Sequence, residues 1–192
     1  MDEFRFPISG DLVCVTDSTL ERLTKTVLKS ADKARDNIAR ILAEGDSGID
    51  LIRKLKFEKC GFTQCGQVPH NFCEQVDQSM TFLVGIAALR KLAQLHPEVT
   101  HYQFNYGTTA GSDIEDWSDA GSGKRVAAEV FAAVKSSNNN KLNKDIAKVA
   151  RTGAANKYVF YFQPKGPFGE LTSKVKDVKV QCVDINMTGI SV

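Results

Sequence analysis

The chain has 192 residues, 42% hydrophobic and 25% charged, which suits one globular domain, with or without an extension, and excludes a disordered chain. No apolar run reaches transmembrane length, since residues 81–89 are followed at once by Arg90 and Lys91. The net charge of +2 conceals an asymmetry: 13 Lys and Arg against 18 Asp and Glu over residues 1–123, then 12 against 5 over residues 124–192. Such a basic half would suit a phosphate-binding protein, although Lys-rich solvated helix faces would give the same count. Five scattered cysteines do not make a disulfide framework, and the start MDEFRFP lacks the basic-then-apolar pattern of a secretory signal. The sequence therefore reads as cytoplasmic.

Residues 17–44 are predicted as a long amphipathic helix. Asp17 or Ser18 can cap it, and Leu20, Leu23, Val27, Ala31, Ala34, Ile38 and Ile41 recur at intervals of three and four. A shorter helix is expected over 49–57, followed by an irregular segment, CGFTQCGQVPH, that ends at His70. A second long helix spans 70–96 and is ended by Pro97. A strand at 100–106 then leads to a β-hairpin, 112–117 and 124–135. Ser136, Ser137 and the Asn138–Asn140 run cap a helix over 141–151, with Leu142, Ile146 and Val149 on one side. KYVFYFQP is a buried strand, a turn or short helix falls near 170–173, and a last strand covers about 178–185.

The irregular segment holds Cys60, Cys65, His70 and Cys73 as C-x4-C-x4-H-x2-C. Four such side chains can bind Zn²⁺ tetrahedrally. The spacing matches none of the usual short-pair patterns, however, and Cys73 can simply fill a helix interior, so zinc is not the expectation.

The hairpin carries the chemistry. Side chains alternate along a strand, so Val126, Ala128, Val130, Ala132 and Val134 share one face, and Ala127, Glu129, Phe131, Ala133 and Lys135 the other. Glu129 is thus a carboxylate in the middle of an apolar strand, costly to bury unpaired. If the Gly121–Gly123 turn centres near Gly121, Asp113 lies opposite Glu129, with β-carbons roughly 5 Å apart. Two like charges that close need a cation, a shared proton or a substrate between them. Glu129 could equally pair with Arg125 or with a lysine of the following helix. Trp117, beside Asp116, would contact a nucleobase or, more simply, pack.

From residue 70 the order is helix, three strands, helix, strand, with Asp113 on the second strand and Glu129 on the third. This order and AGSDI followed by AAEVF resemble the restriction-endonuclease-like PD-(D/E)xK nuclease superfamily over residues 70–163. The resemblance implies an α/β fold, an αβββαβ core with a mixed sheet flanked by helices, in which Asp113 and Glu129 hold Mg²⁺ against a DNA phosphodiester. It also implies a third acidic residue on the first core helix, where Glu74 shares a face with Gln78 and Thr81. The pattern's lysine is missing, because Phe131 stands two residues after Glu129. Lys135 shares the face of Glu129 but lies about 20 Å along the strand, and Lys141 or Lys144 could supply a displaced cation. On this reading residues 67–192 are the core, and residues 1–66 an N-terminal helical extension able to form a homodimer. The chain is expected to be an Mg²⁺-dependent endodeoxyribonuclease, with a catalytically silent domain that binds nucleic acid or a protein as the alternative. Phe131 favours the alternative and the Asp113–Glu129 pairing favours the nuclease; a zinc-stabilised module would rest on the cysteine segment alone.

Overall fold

The two apolar periodicities resolve into one mixed sheet with helices on both faces. The computed structural model describes residues 11–44, 47–64, 68–105, 111–116 and 125–188. Its strands are β1 (Leu12–Cys14), β2 (Gly61–Phe62), β3 (Pro69–His70), β4 (His101–Phe104), β5 (Ile114–Asp116), β6 (Val126–Ala132), β7 (Asn156–Phe162), β8 (Gly169–Leu171) and β9 (Val178–Cys182). The helices are α1 (Asp17–Ala43), α2 (Gly48–Phe57), α3 (Phe72–Leu95) and α4 (Lys141–Ala150). Seven strands form the main sheet in the order β1-β4-β5-β6-β7-β9-β8, while β2 and β3 pair apart. Pairing is antiparallel from β1 to β6 and parallel from β6 through β7 to β9, and β8 closes the edge antiparallel. Strand β6 is therefore where the sheet changes direction, and the parallel step from β6 to β7 is made through α4, as such a crossover requires.

Each face of β6 has its own core. Val126, Ala128 and Val130 join Tyr158 and Phe160 beneath α3 and α1, whereas Ala127 and Phe131 join Val159, Tyr161, Ile146 and Val149 on the α4 side. The alternation expected for the strand is thus realised. Helix α3 is apolar all round its middle and is buried accordingly, between α1 and the sheet. Its approach is closest at Gly85, where an added Cβ would lie 2.4 Å from Cζ of Phe104. Asn71 caps it in a capping box with Glu74.

The residues expected as an N-terminal extension share this core. Leu20, Leu23 and Val27 of α1 pack within the α3-side cluster, and β1 forms the outer strand of the sheet beside β4. Leu20, Leu23, Val27, Ala34 and Ile41 of the α1 stripe are consequently buried inside the chain, and the most exposed large apolar residues of this region, Ile49, Ile52 and Phe57, sit on α2. Among the described residues, no helix is long and apolar enough to cross a membrane.

Several local expectations are corrected. The segment read as irregular contains the short β2–β3 hairpin, and the turn or helix expected near 170–173 is the edge strand β8, fixed by pairing with β9. Strand β6 ends at Ala132, three residues early, after which the Ala133 N–H donates to the Phe162 carbonyl and the chain turns. The Asn run is that turn rather than a side-chain cap: Asn139 and Asn140 take φ of 51° and 56°, a left-handed conformation asparagine tolerates, and Asn140 makes no capping bond to α4.

An added Cβ at Gly85 would meet the buried Phe104 ring and force it to shift. Gly85→Ala is expected to lose about 1–3 kcal/mol of stability through overpacking, measured as a shift in urea unfolding midpoint. Gly153→Ala, with nothing within 4 Å of its added Cβ, is the control and should shift the midpoint little.

Candidate functional site

The hairpin register places the two carboxylates together. Ile114 pairs with Ala128 and Glu115 with Ala127, so the next position in register sets Asp113 opposite Glu129. This pairing is symmetric about position 121, although the turn itself, with Trp117, lies outside the described residues. Asp113 sits where β5 leaves the ladder. Its backbone carbonyl still accepts from Asn105 at 2.7 Å, while its Oδ2 accepts from the Val130 N–H at 2.8 Å. A carboxylate has taken the place of a backbone acceptor, which fixes Asp113 beside β6.

The cation between the carboxylates comes from α4. Lys148 Nζ donates to Glu129 Oε2 at 2.7 Å and lies 3.9 Å from Asp113 Oδ1. One turn away, Lys141 Nζ donates to Oδ1 of Asp145 at 2.8 Å. Lys141, Asp145 and Lys148 stand at i, i+4 and i+7, so α4 presents one charged stripe alternating in sign. Glu129 and Asp145 are 1% and 3% exposed, and each keeps one oxygen, Oε1 and Oδ2 respectively, without a hydrogen-bond partner.

Burial governs the electrostatics. Desolvation, with the neighbouring Asp113 charge adding to it, pushes Glu129 up to about 7 against the opposing pull of Lys148. Desolvation likewise raises Asp145, despite Lys141. Burial alone would depress Lys148, but Glu129, Asp113 and Asp145 together outweigh it and hold the ammonium above its ordinary value. The site is a network of buried carboxylates whose charge is offset by two lysines.

A cleft of about 180 Å³ opens onto this network, lined by Asp113, Asn105, Gln78, Thr81 and Lys141 over a floor of Phe82, Phe104, Val130 and Phe131. The α3 residues that share a face with Glu74 thus reach the site, but Glu74 itself does not. It accepts from Lys59 at 2.9 Å and from the Asn71 N–H at 2.8 Å, an exposed capping role that accounts for its position. Lys135 is also left out, since it lies past the end of β6 on the exposed turn. Its place is taken by Lys148. The i, i+4, i+7 stripe on α4 was the signal for it, together with the need of Glu129 for a cation. Asp145, buried on α4 and paired with Lys141, is the other omission.

Cys60 and His70 meet across β2–β3, where the Cys60 N–H donates to the His70 carbonyl at 2.9 Å. Burial raises the Cys60 thiol and lowers His70. Cys65 lies outside the described residues, and among the described residues no group of three or more His, Cys, Asp or Glu side chains could hold a metal ion. A two-carboxylate site remains compatible with Mg²⁺, which commonly takes one or two protein carboxylates and completes its shell with water and substrate phosphate. No family model, curated protein or solved structure matches the chain.

The Glu129 shift makes a signed prediction. With a folded value of about 7 against an ordinary 4.5, the folded chain holds a proton that the unfolded chain has released between those limits. Glu129 therefore costs increasing stability as pH rises through that window, and the cost levels off above about 7. Urea unfolding from pH 4.5 to 8 should show Glu129→Gln gaining on the wild type across the window. Lys148→Met, which removes the cation, should lose stability most at pH 8.

Proposed function

We propose that this chain is a metal-dependent nuclease with a restriction-endonuclease-like core, in which Asp113, Glu129 and Lys148 act on a DNA phosphodiester. The carrying observation is a cluster of three groups beside an open cleft that Asp113 lines: Asp113 opposite Glu129, a buried Glu129 oxygen without a hydrogen-bond partner, and a lysine facing both carboxylates. The order α3, β4, β5, β6, α4, β7 supports the core assignment. The resemblance asks for a lysine two residues after the glutamate. Phe131 stands there, and Lys148 offers the same charge from α4.

Asp113 and Glu129 would hold Mg²⁺ through hard carboxylate oxygens, and the ion would offset charge on the phosphate under attack. Lys148 is placed to donate to a phosphate oxygen or to hold the attacking water beside Glu129. Lys141, at the mouth of the cleft, meets the approaching backbone, and Asn105 and Gln78 offer neutral donors along the wall.

A second reading, a silent domain of the same core that binds nucleic acid or protein, has its own observation. One oxygen of each carboxylate is already engaged, Asp113 Oδ2 by the Val130 N–H and Glu129 Oε2 by Lys148.

Supercoiled and single-stranded DNA incubated with Mg²⁺ or Mn²⁺ separates the two. The nuclease reading expects cleavage that falls about 100- to 1,000-fold in Asp113→Asn, Glu129→Gln and Lys148→Met, with each fold confirmed by circular dichroism. Mg²⁺ should raise the melting temperature of the wild type but not of the two carboxylate variants. Salt-sensitive DNA binding without cleavage selects the silent nucleic-acid-binding domain, and no binding at low salt discards both nucleic-acid readings and leaves a protein-interaction domain.

A further inference from the structure

Beside the carboxylate cleft lies a second depression of about 410 Å³, past the C-terminal ends of β6 and β7. Val76 and Met80 of α3 form one wall, and Val134, Phe162 and Pro164 the other. Thr81, Phe131 and Lys141 line both depressions, so the two are continuous. Val134 is 74% exposed and Val76 44%, which leaves apolar surface open to water directly beside the charged network. Among the described lining residues only Asp77, Thr81 and Lys141 are polar. Lys141 holds the junction, 5.9 Å from the centre of the Phe131 ring. Lys135 and Lys165 are exposed and adjacent in sequence to Val134 and Pro164 of the far wall.

An apolar groove that joins the cleft at Lys141, with one acid, Asp77, in its lining and two exposed lysines next in sequence to its far wall, suits a strand whose bases are not paired. We infer that the substrate is single-stranded or locally unpaired nucleic acid, with a base seated in this groove and its phosphates on Lys135, Lys141 and Lys165; this rests on the nuclease reading above. In a duplex the base faces are stacked and cannot enter such a groove without leaving the helix. The walls lack an array of donors and acceptors for base edges, so seating is by apolar contact and tolerates any base, as in non-specific single-strand binders. Phe131 has a part in this. At the position where the resembled pattern carries lysine, it is the wall shared by groove and cleft, while the cation is delivered from α4.

The test uses the full chain with fluorescein-labelled oligonucleotides: a 20-nucleotide single strand, the 20-base-pair duplex, and the duplex with a central unpaired bubble. Binding is read in Ca²⁺ and cleavage in Mg²⁺. The single strand and bubble should be bound and cut about 10-fold or more better than the duplex. Val134→Glu and Val76→Glu, at exposed positions that leave the core intact, should each lower the ratio of single-strand to duplex affinity about 10-fold. Lys135→Ala with Lys165→Ala should flatten the salt dependence of single-strand binding, by about 0.7 in log–log slope for each phosphate no longer neutralised. Equal or better cleavage of the duplex, or an affinity ratio unmoved by both glutamate variants, overturns the inference and leaves the nuclease reading standing. Failure to bind any of the three overturns both.

Discussion

A carboxylate at the centre of the central strand must be answered from the next layer, and the ion pair of Glu129 with Lys148 is that answer. Glu129 sits in a strand flanked by β5 and β7 and is 1% exposed, so bulk solvent does little to carry its charge. Helix α4 is the layer above, and its rotation is constrained twice. Ile146 and Val149 must face the apolar residues of β7 and β9, and Lys148 must reach β6. A helix that satisfied only the apolar contacts would leave an unpaired charge in the interior, at a cost of several kcal/mol.

The pairing is incomplete, and its incompleteness is what separates this cluster from a closed structural ion pair. A closed structural ion pair would have its remaining lone pairs satisfied by neighbouring donors. Glu129 and Asp145 instead each keep a buried oxygen without a partner, and burial raises the pKa of both above the ordinary carboxylate value. Asp113, on the cleft side, is anchored through one oxygen and presents the other toward Lys148. A fold that tolerates two such unsatisfied acceptors close together carries a local instability that structural packing alone does not require.

Most of the architecture was legible from periodicity. All four helices, the central hairpin, its register and the face carrying Glu129 follow from helical periodicity, strand alternation and one turn position, whereas the caps do not: Thr16 rather than Asp17 or Ser18 caps α1. The register was readable because β6 has two distinct faces, and a slip of one residue would have put Glu129 into the α3-side core. Strands β1 and β8 were not legible, since three residues at a sheet edge carry almost no pattern and exist through their partners. Lys148 was half legible: the chain shows that Glu129 needs a cation, but its source lies 19 residues on, where helix rotation rather than strand alternation decides the contact. Glu74 misled for the opposite reason. An acidic residue in a first helical turn suits a catalytic cluster and a capping box equally, and the local hydrogen bonds to Asn71 and Lys59 decided it.

Gly85 has no side chain and does not border the cleft, yet it controls the shape of it. The absence of a Cβ lets Phe104 lie directly beneath α3, and Phe104 is part of the cleft floor together with Phe82, three residues back along the same helix as Gly85. The distance between helix and sheet, and with it the depth at which a ligand meets Asp113, is set by a contact inside the hydrocarbon interior. Natural or laboratory variation seeking a deeper or shallower cleft would find its adjustment there, one layer below anything a substrate touches.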